Sequence, residues 1–196
     1  MITVLNGNDS GAGSLRQALL DAAAAEVIDF DPGVTVVNLT SAELEITQAQ
    51  TITGPGSASL TVQRSSGAFR VFHINAGAAV NITGLTIANG IEAASSGGGL
   101  LLENGGAFLL TLQDVIFDSN AALNGGGLAV LSGGFGAALT DVTFTLNSAT
   151  GQGGGAWVDG QSGFTNCVFE DNFALNADGT GAYGGGNYGA GTYGGG

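Results

Sequence analysis

Leu112-Gln-Asp-Val-Ile-Phe117, Leu139-Thr-Asp-Val-Thr-Phe144 and Phe164-Thr-Asn-Cys-Val-Phe169 repeat one pattern three times, and Ile82-Thr-Gly-Leu-Thr-Ile87 fits the same frame. Aligned, the segments begin on a large apolar residue and then show a column made of Gly84, Asp114, Asp141 and Asn166. Those three residue types best tolerate a left-handed backbone. A sharp corner is therefore predicted in that column, with apolar side chains pointing inward on both sides of it. Beyond the corner Leu85/Val115/Val142/Cys167 and Ile87/Phe117/Phe144/Phe169 alternate as one face of a strand does. Cys167, in an inward column beside Val115 and Val142, reads as a small buried hydrophobe.

Two further signatures share this period. Asn120, Asn147 and Asn172 each follow the terminal Phe by three residues, and Gly-Gly-Gly triplets begin at Gly97, Gly125 and Gly153, a spacing of 28. Short strands repeating every 20 to 50 residues indicate a solenoid or a propeller, and a propeller blade needs about 40 residues. One coil of a parallel β-helix fits instead. The fold class is thus all-β, a right-handed parallel β-helix, with crossovers of the hand that parallel strands almost always adopt. Stacked coils about 4.8 Å apart would align Phe117, Phe144 and Phe169 as an aromatic ladder, and the three Asn as an amide ladder.

Upstream, Val36–Leu39, Leu44–Ile46, Thr51–Thr53, Leu60–Val62 and Val71–Ile74 are rich in β-branched residues and separated by Gly54-Pro55-Gly56 and Ser65-Ser66-Gly67. They read as earlier, less regular coils. Ser14 and Gln17 match a capping box, and Leu15, Ala18, Leu19, Ala22 and Ala23 form an apolar stripe. A helix over 14–25 is predicted to cap the solenoid's first coil, whose edge and core would otherwise be open. The organisation is an N-terminal cap over 1–33, coils over 34–182 and a Gly/Tyr-rich segment over 183–196. That last segment offers no comparable cap. Self-association at the C-terminal end, or continuation of the solenoid there, is expected.

Composition narrows function. Three arginines and no lysine stand against 16 acidic residues, a net charge of −13. Nucleic-acid binding requires cations to neutralise phosphates, so no nucleic-acid partner is expected. Anionic membrane surfaces are disfavoured on the same ground, and no apolar run of spanning length argues for direct membrane insertion. A lone cysteine permits no intramolecular disulfide. No basic start followed by an apolar stretch marks a signal peptide.

The Phe-x-x-Asn and Gly-Gly-Ala/Leu repeats, with the opening Asn8-Asp-Ser-Gly-Ala-Gly-Ser-Leu-Arg-Gln-Ala-Leu19, resemble chlamydial polymorphic outer-membrane proteins and related bacterial β-helix repeat proteins. The resemblance implies a secreted protein, extracellular or at the cell surface, since some such proteins are adhesins or autotransporter passengers.

Parallel β-helices also carry polysaccharide lyases and hydrolases. Lyase chemistry needs a base and a charge-neutralising cation. Arg16 falls on the cap helix and Arg64 beside a turn, while Arg70 and His73, three apart on a strand, should face opposite ways. All four read as ordinary surface positions. Asp114 and Asp141 would stack at about the separation of a glycosidase pair, but they share a column with Gly84 and Asn166 and read as corners, with weak calcium binding as the lesser alternative. Asp178-Gly-Thr-Gly181 lacks the nine-residue period of calcium-binding solenoids. Thr51, Thr53, Thr61, Thr83 and Thr86 do not form the regular rows of an ice-binding face.

No catalytic, cofactor-binding or metal-ligating residue and no cofactor is therefore expected. The functional expectation is a non-catalytic structural or adhesive solenoid of a kind that can build a filament or surface layer, with a protein or glycan surface ligand. The alternative is a carbohydrate-active β-helix, either a lyase or hydrolase or a glycan-binding module.

Overall fold

The structure is a computed structural model describing residues 1–75, 77–103, 110–175 and 181–183. The chain opens with β1 (Ile2–Val4), α1 (Leu15–Asp21) and β2 (Glu26–Phe30), then β3 (Val36–Leu39), β4 (Leu44–Ile46), β5 (Gln50–Thr53), β6 (Thr61–Arg64) and β7 (Phe72–Ile74). Next come β8 (Val80–Ala88), β9 (Ile91–Ser96), β10 (Leu100–Leu102), β11 (Leu110–Asp118), β12 (Ala121–Asn124) and β13 (Leu128–Thr145). The last are β14 (Ser148–Ala149), β15 (Ala156–Thr165), β16 (Val168–Glu170), β17 (Phe173–Leu175) and β18 (Gly181–Tyr183). All but one of the strand pairings are parallel. They stack the chain into a β-solenoid of about six turns, as the repeat predicts.

Three rows of inward side chains build the core. On the first face Ile52, Ile82, Leu112, Leu139 and Phe164 stand in register. On the second, Val62, Ile87, Phe117, Phe144 and Phe169 do so. On the third, Leu44, Phe72, Leu100, Leu128 and Ala156 complete the coil. Phe117 and Phe144 are fully buried and stack at 4.9 Å with rings 3° from parallel; Phe144 and Phe169 stack at 4.6 Å.

The predicted corner is present. Gly84, Asp114, Asp141 and Asn166 all have φ between 51° and 65°, so the column's composition reflects backbone conformation directly. A second left-handed column, Asn89, Ser119, Leu146 and Asp171, closes the other end of the second face. Leu146 departs from the usual chemistry of that conformation and leaves its side chain 57% exposed.

The cap helix is shorter than predicted, seven residues from Leu15 to Asp21. Ser14 Oγ accepts from Gln17 N, but the Gln17 amide donates forward to Asp21 and not back to Ser14, so only half of the capping box forms. The helix stops because the Glu26 carboxylate takes the Ala23 N–H (2.8 Å) and the N-terminal ammonium (2.6 Å), and Ala25 turns left-handed at φ 64°. Leu15, Ala18 and Leu19 are buried, and α1 lies against β1 and β4, where it covers the first coil. Gln50 Nε2 and Gln48 Nε2 donate to the Leu19 and Ala22 carbonyls at the helix end.

At the other end β18 lies antiparallel on β17, so Tyr183 ends a reversal on that edge. The rest of the Gly/Tyr-rich segment, 184–196, lies outside the described residues.

Removing the central ring of the ladder should cost most. Phe144→Ala is expected to destabilise by about 3–5 kcal/mol in urea unfolding. Leu146→Asn should act in the opposite sense, stabilising by up to about 1 kcal/mol, because it relieves a left-handed penalty at an exposed position.

Candidate functional site

The cations decide where chemistry could occur, because the chain has so few. Arg16 donates to the carbonyls of Asp9, Ala42 and Glu43 and ion-pairs with Asp9 at 2.8 Å. Arg64 donates to the Asn89 and Gly67 carbonyls. Both fasten one segment of coil to another and are not free surface charges.

Arg70 and His73 correct the expectation of opposite faces. β7 begins at Phe72, so Arg70 lies outside the strand, ahead of a bend at Val71, and the two-residue alternation does not apply to it. Both side chains turn toward Glu43. Arg70 Nη1 donates to Glu43 Oε2 at 2.9 Å, and His73 Nδ1 lies 2.9 Å from Glu43 Oε1. Arg70 also approaches Glu92 at 3.6 Å, and His73 Nε2 lies 3.0 Å from Glu103 Oε1. Glu45 pairs with His73 in the β4–β7 register. One ligand atom from each of Glu43, Glu45 and His73 falls within 4.8 Å of the other two.

This cluster is far from an ordinary surface patch. The Arg70 side chain is 7% exposed and that of His73 14%. Arg70 Nε is enclosed without a hydrogen-bond partner, while the enclosed His73 Nε2 faces Glu103 Oε1 at 3.0 Å. The bond to Glu43 holds the imidazole pKa above its usual range, against the opposing effect of burial. Burial raises Glu43, but the His73 hydrogen bond and the Arg70 charge outweigh it and hold its carboxyl below the usual range. Beside the cluster a groove of about 530 Å³ runs under α1, lined by Leu19, Leu20, Leu44 and Phe69 among others.

Glu43, Glu45, Glu92 and Glu103 were not singled out from sequence. The available signal is the coil period: Glu43 lies 27 residues from Arg16 and from Arg70, and 30 from His73. Opposite charges one period apart are neighbours in a solenoid.

The corner carboxylates behave as expected of corners. Ser57 donates its N–H and hydroxyl to Asp114, and Asn166 donates to Asp141. Cys167 is only half-buried, and burial still pushes its thiol pKa up. Of Asp178-Gly-Thr-Gly181, residues 178–180 lie outside the described residues. Comparison with protein-family models, curated proteins and solved structures finds no match for this chain.

The cluster should leave a two-sided mark on stability. A raised His73 contributes fully below the ordinary pKa of 6.5 and loses its contribution as pH rises through the folded value. A lowered Glu43 contributes above 4.5 and loses its contribution as pH falls through its folded value. Stability from this pair should thus peak between the two ordinary values. Urea unfolding across pH in metal-free buffer should show His73→Gln removing the alkaline decline.

Proposed function

We propose that the chain is a non-catalytic structural or adhesive β-solenoid of an extracellular or cell-surface setting. The observation that carries this reading is the use the molecule makes of its buried polar groups. Asn147 Nδ2 donates to the Phe117 carbonyl and to Asn172 Oδ1, while its own Oδ1 accepts from Asn120 N and Nδ2. These amides are spent on joining one coil to the next. All three arginines are likewise engaged with carbonyls or carboxylates of the chain. The motif resemblance to bacterial surface β-helix proteins supports the same setting.

Self-association belongs to this proposal. β15 and β16 pair with β13 at the C-terminal side of the described stack, and Val168 there is 49% exposed. A strand end that meets solvent is a template for another strand. A further copy of the chain meeting that end would extend the stack into a filament.

The rival is a carbohydrate-active protein centred on Glu43, Arg70 and His73, where acid, base and cation converge. A panel of acidic and neutral polysaccharides, assayed for new reducing ends and unsaturated products, separates the two readings. No product above the background of a His73→Ala control is expected; product abolished by that change would overturn the proposal. Truncation after Asp178 should alter light-scattering mass at high concentration, and equal monomeric mass for both chains would remove the filament.

A further inference from the structure

We propose that Glu43, Glu45 and His73 bind one divalent transition-metal cation of the zinc class. Their three ligand atoms lie within 4.8 Å of one another. An ion placed among them would need only small side-chain rotations to reach bonds of about 2.0–2.2 Å. It would enter between His73 Nδ1 and Glu43 Oε1, replacing the 2.9 Å contact that joins them.

Charge points the same way, independently of the spacing. The carboxylates of Glu43, Glu45, Glu92 and Glu103 stand against the cations Arg70 and His73, and Arg16, which also reaches the Glu43 carbonyl, is already ion-paired with Asp9. The cluster therefore holds excess negative charge even with the imidazole protonated. In a partly buried site that excess is poorly screened.

The surroundings match what orients metal ligands elsewhere. A ligating histidine usually gives its second nitrogen to a carboxylate, and Glu103 Oε1 stands 3.0 Å behind Nε2. That nitrogen is enclosed, so Glu103 is the carboxylate placed to hold it when Nδ1 ligates. Arg70 holds Glu43 Oε2 and so leaves Oε1 toward the imidazole. An imidazole with two carboxylates suits zinc, cobalt or manganese. Calcium prefers six to eight oxygens, which these residues do not supply. Because Glu43 and Glu45 sit one coil below His73, the ion would join two successive coils.

The test is calorimetric titration of the chelator-treated full chain with zinc chloride, alongside His73→Gln and Glu45→Gln. One saturable site per chain is expected, weakened by at least roughly tenfold in either variant, with zinc raising the Tm of the parent more than that of the variants. Glu45 is exposed, so Glu45→Gln keeps the test open should His73→Gln disturb folding. Absence of saturable zinc binding by the full chain would overturn the proposal. So would binding of unchanged strength in folded Glu45→Gln, or calcium chloride binding as tightly as zinc.

Discussion

A primary amide enclosed in an apolar interior must find partners for two N–H groups and a carbonyl oxygen, or lose on the order of 1–3 kcal/mol for each one left unmet. Asn120, Asn147 and Asn172 are buried, and Asn120 and Asn147 meet that demand in full through the coils beside them. Asn120 Oδ1 takes the Gly90 N–H, and Asn147 Oδ1 takes the Asn120 N–H. A slip of one coil by one residue would break these bonds together and turn the Phe row outward. The ladder therefore sets the register on which the rest of the stack depends. It also explains why a Gly-Gly-Gly triplet accompanies every Phe-x-x-Asn. A side chain on Gly127 would meet the Phe144 ring and the Asn147 amide, while Gly125 turns left-handed at φ 61°. The triplet makes room for the ladder.

What was legible in the sequence follows from this geometry. Phe, Asn, the corner residues and the Gly triplets recur in a fixed frame because each is the answer to a constraint that returns once per coil. The second corner was not legible, because Leu146 occupies a left-handed position that its residue type does not advertise. The end of α1 escaped for another reason. Ala22 to Ala25 are good helix formers, and the chain leaves the helix only because Glu26 captures Ala23 from beyond.

The candidate site was hidden more deeply. Reading Arg70 and His73 by strand alternation assumed that both lay in one strand, and a bend before Phe72 voids that assumption. Their partners lie a full coil away in sequence, where local patterns carry no information about them. Pairing residues at the coil period joins Glu43 to both, since its contacts with Arg70 and His73 span 27 and 30 residues.

Charge and ladder divide the molecule between them. No Lys, Arg or His follows His73, so the later coils cannot be joined by ion pairs. There the Phe and Asn ladders begin: Ile87 holds the aromatic position and Gly90 the first amide contact, and every coil beyond carries both. The earlier coils lack the ladder and use cations instead, with Arg16 reaching Ala42 and Glu43, Arg64 reaching Asn89, and Arg70 and His73 reaching Glu43. Excess acid in the later coils then needs neutral donors. Ser57 serves Asp114 and Asn166 serves Asp141, which places hydroxyl and amide hydrogens where a basic residue would otherwise stand. A solenoid joined this way exposes carboxylates along its later coils with no cation interspersed, and that acidity works against close lateral packing of like copies. For the self-association proposed above, end-to-end stacking is therefore the direction that the charge distribution opposes least.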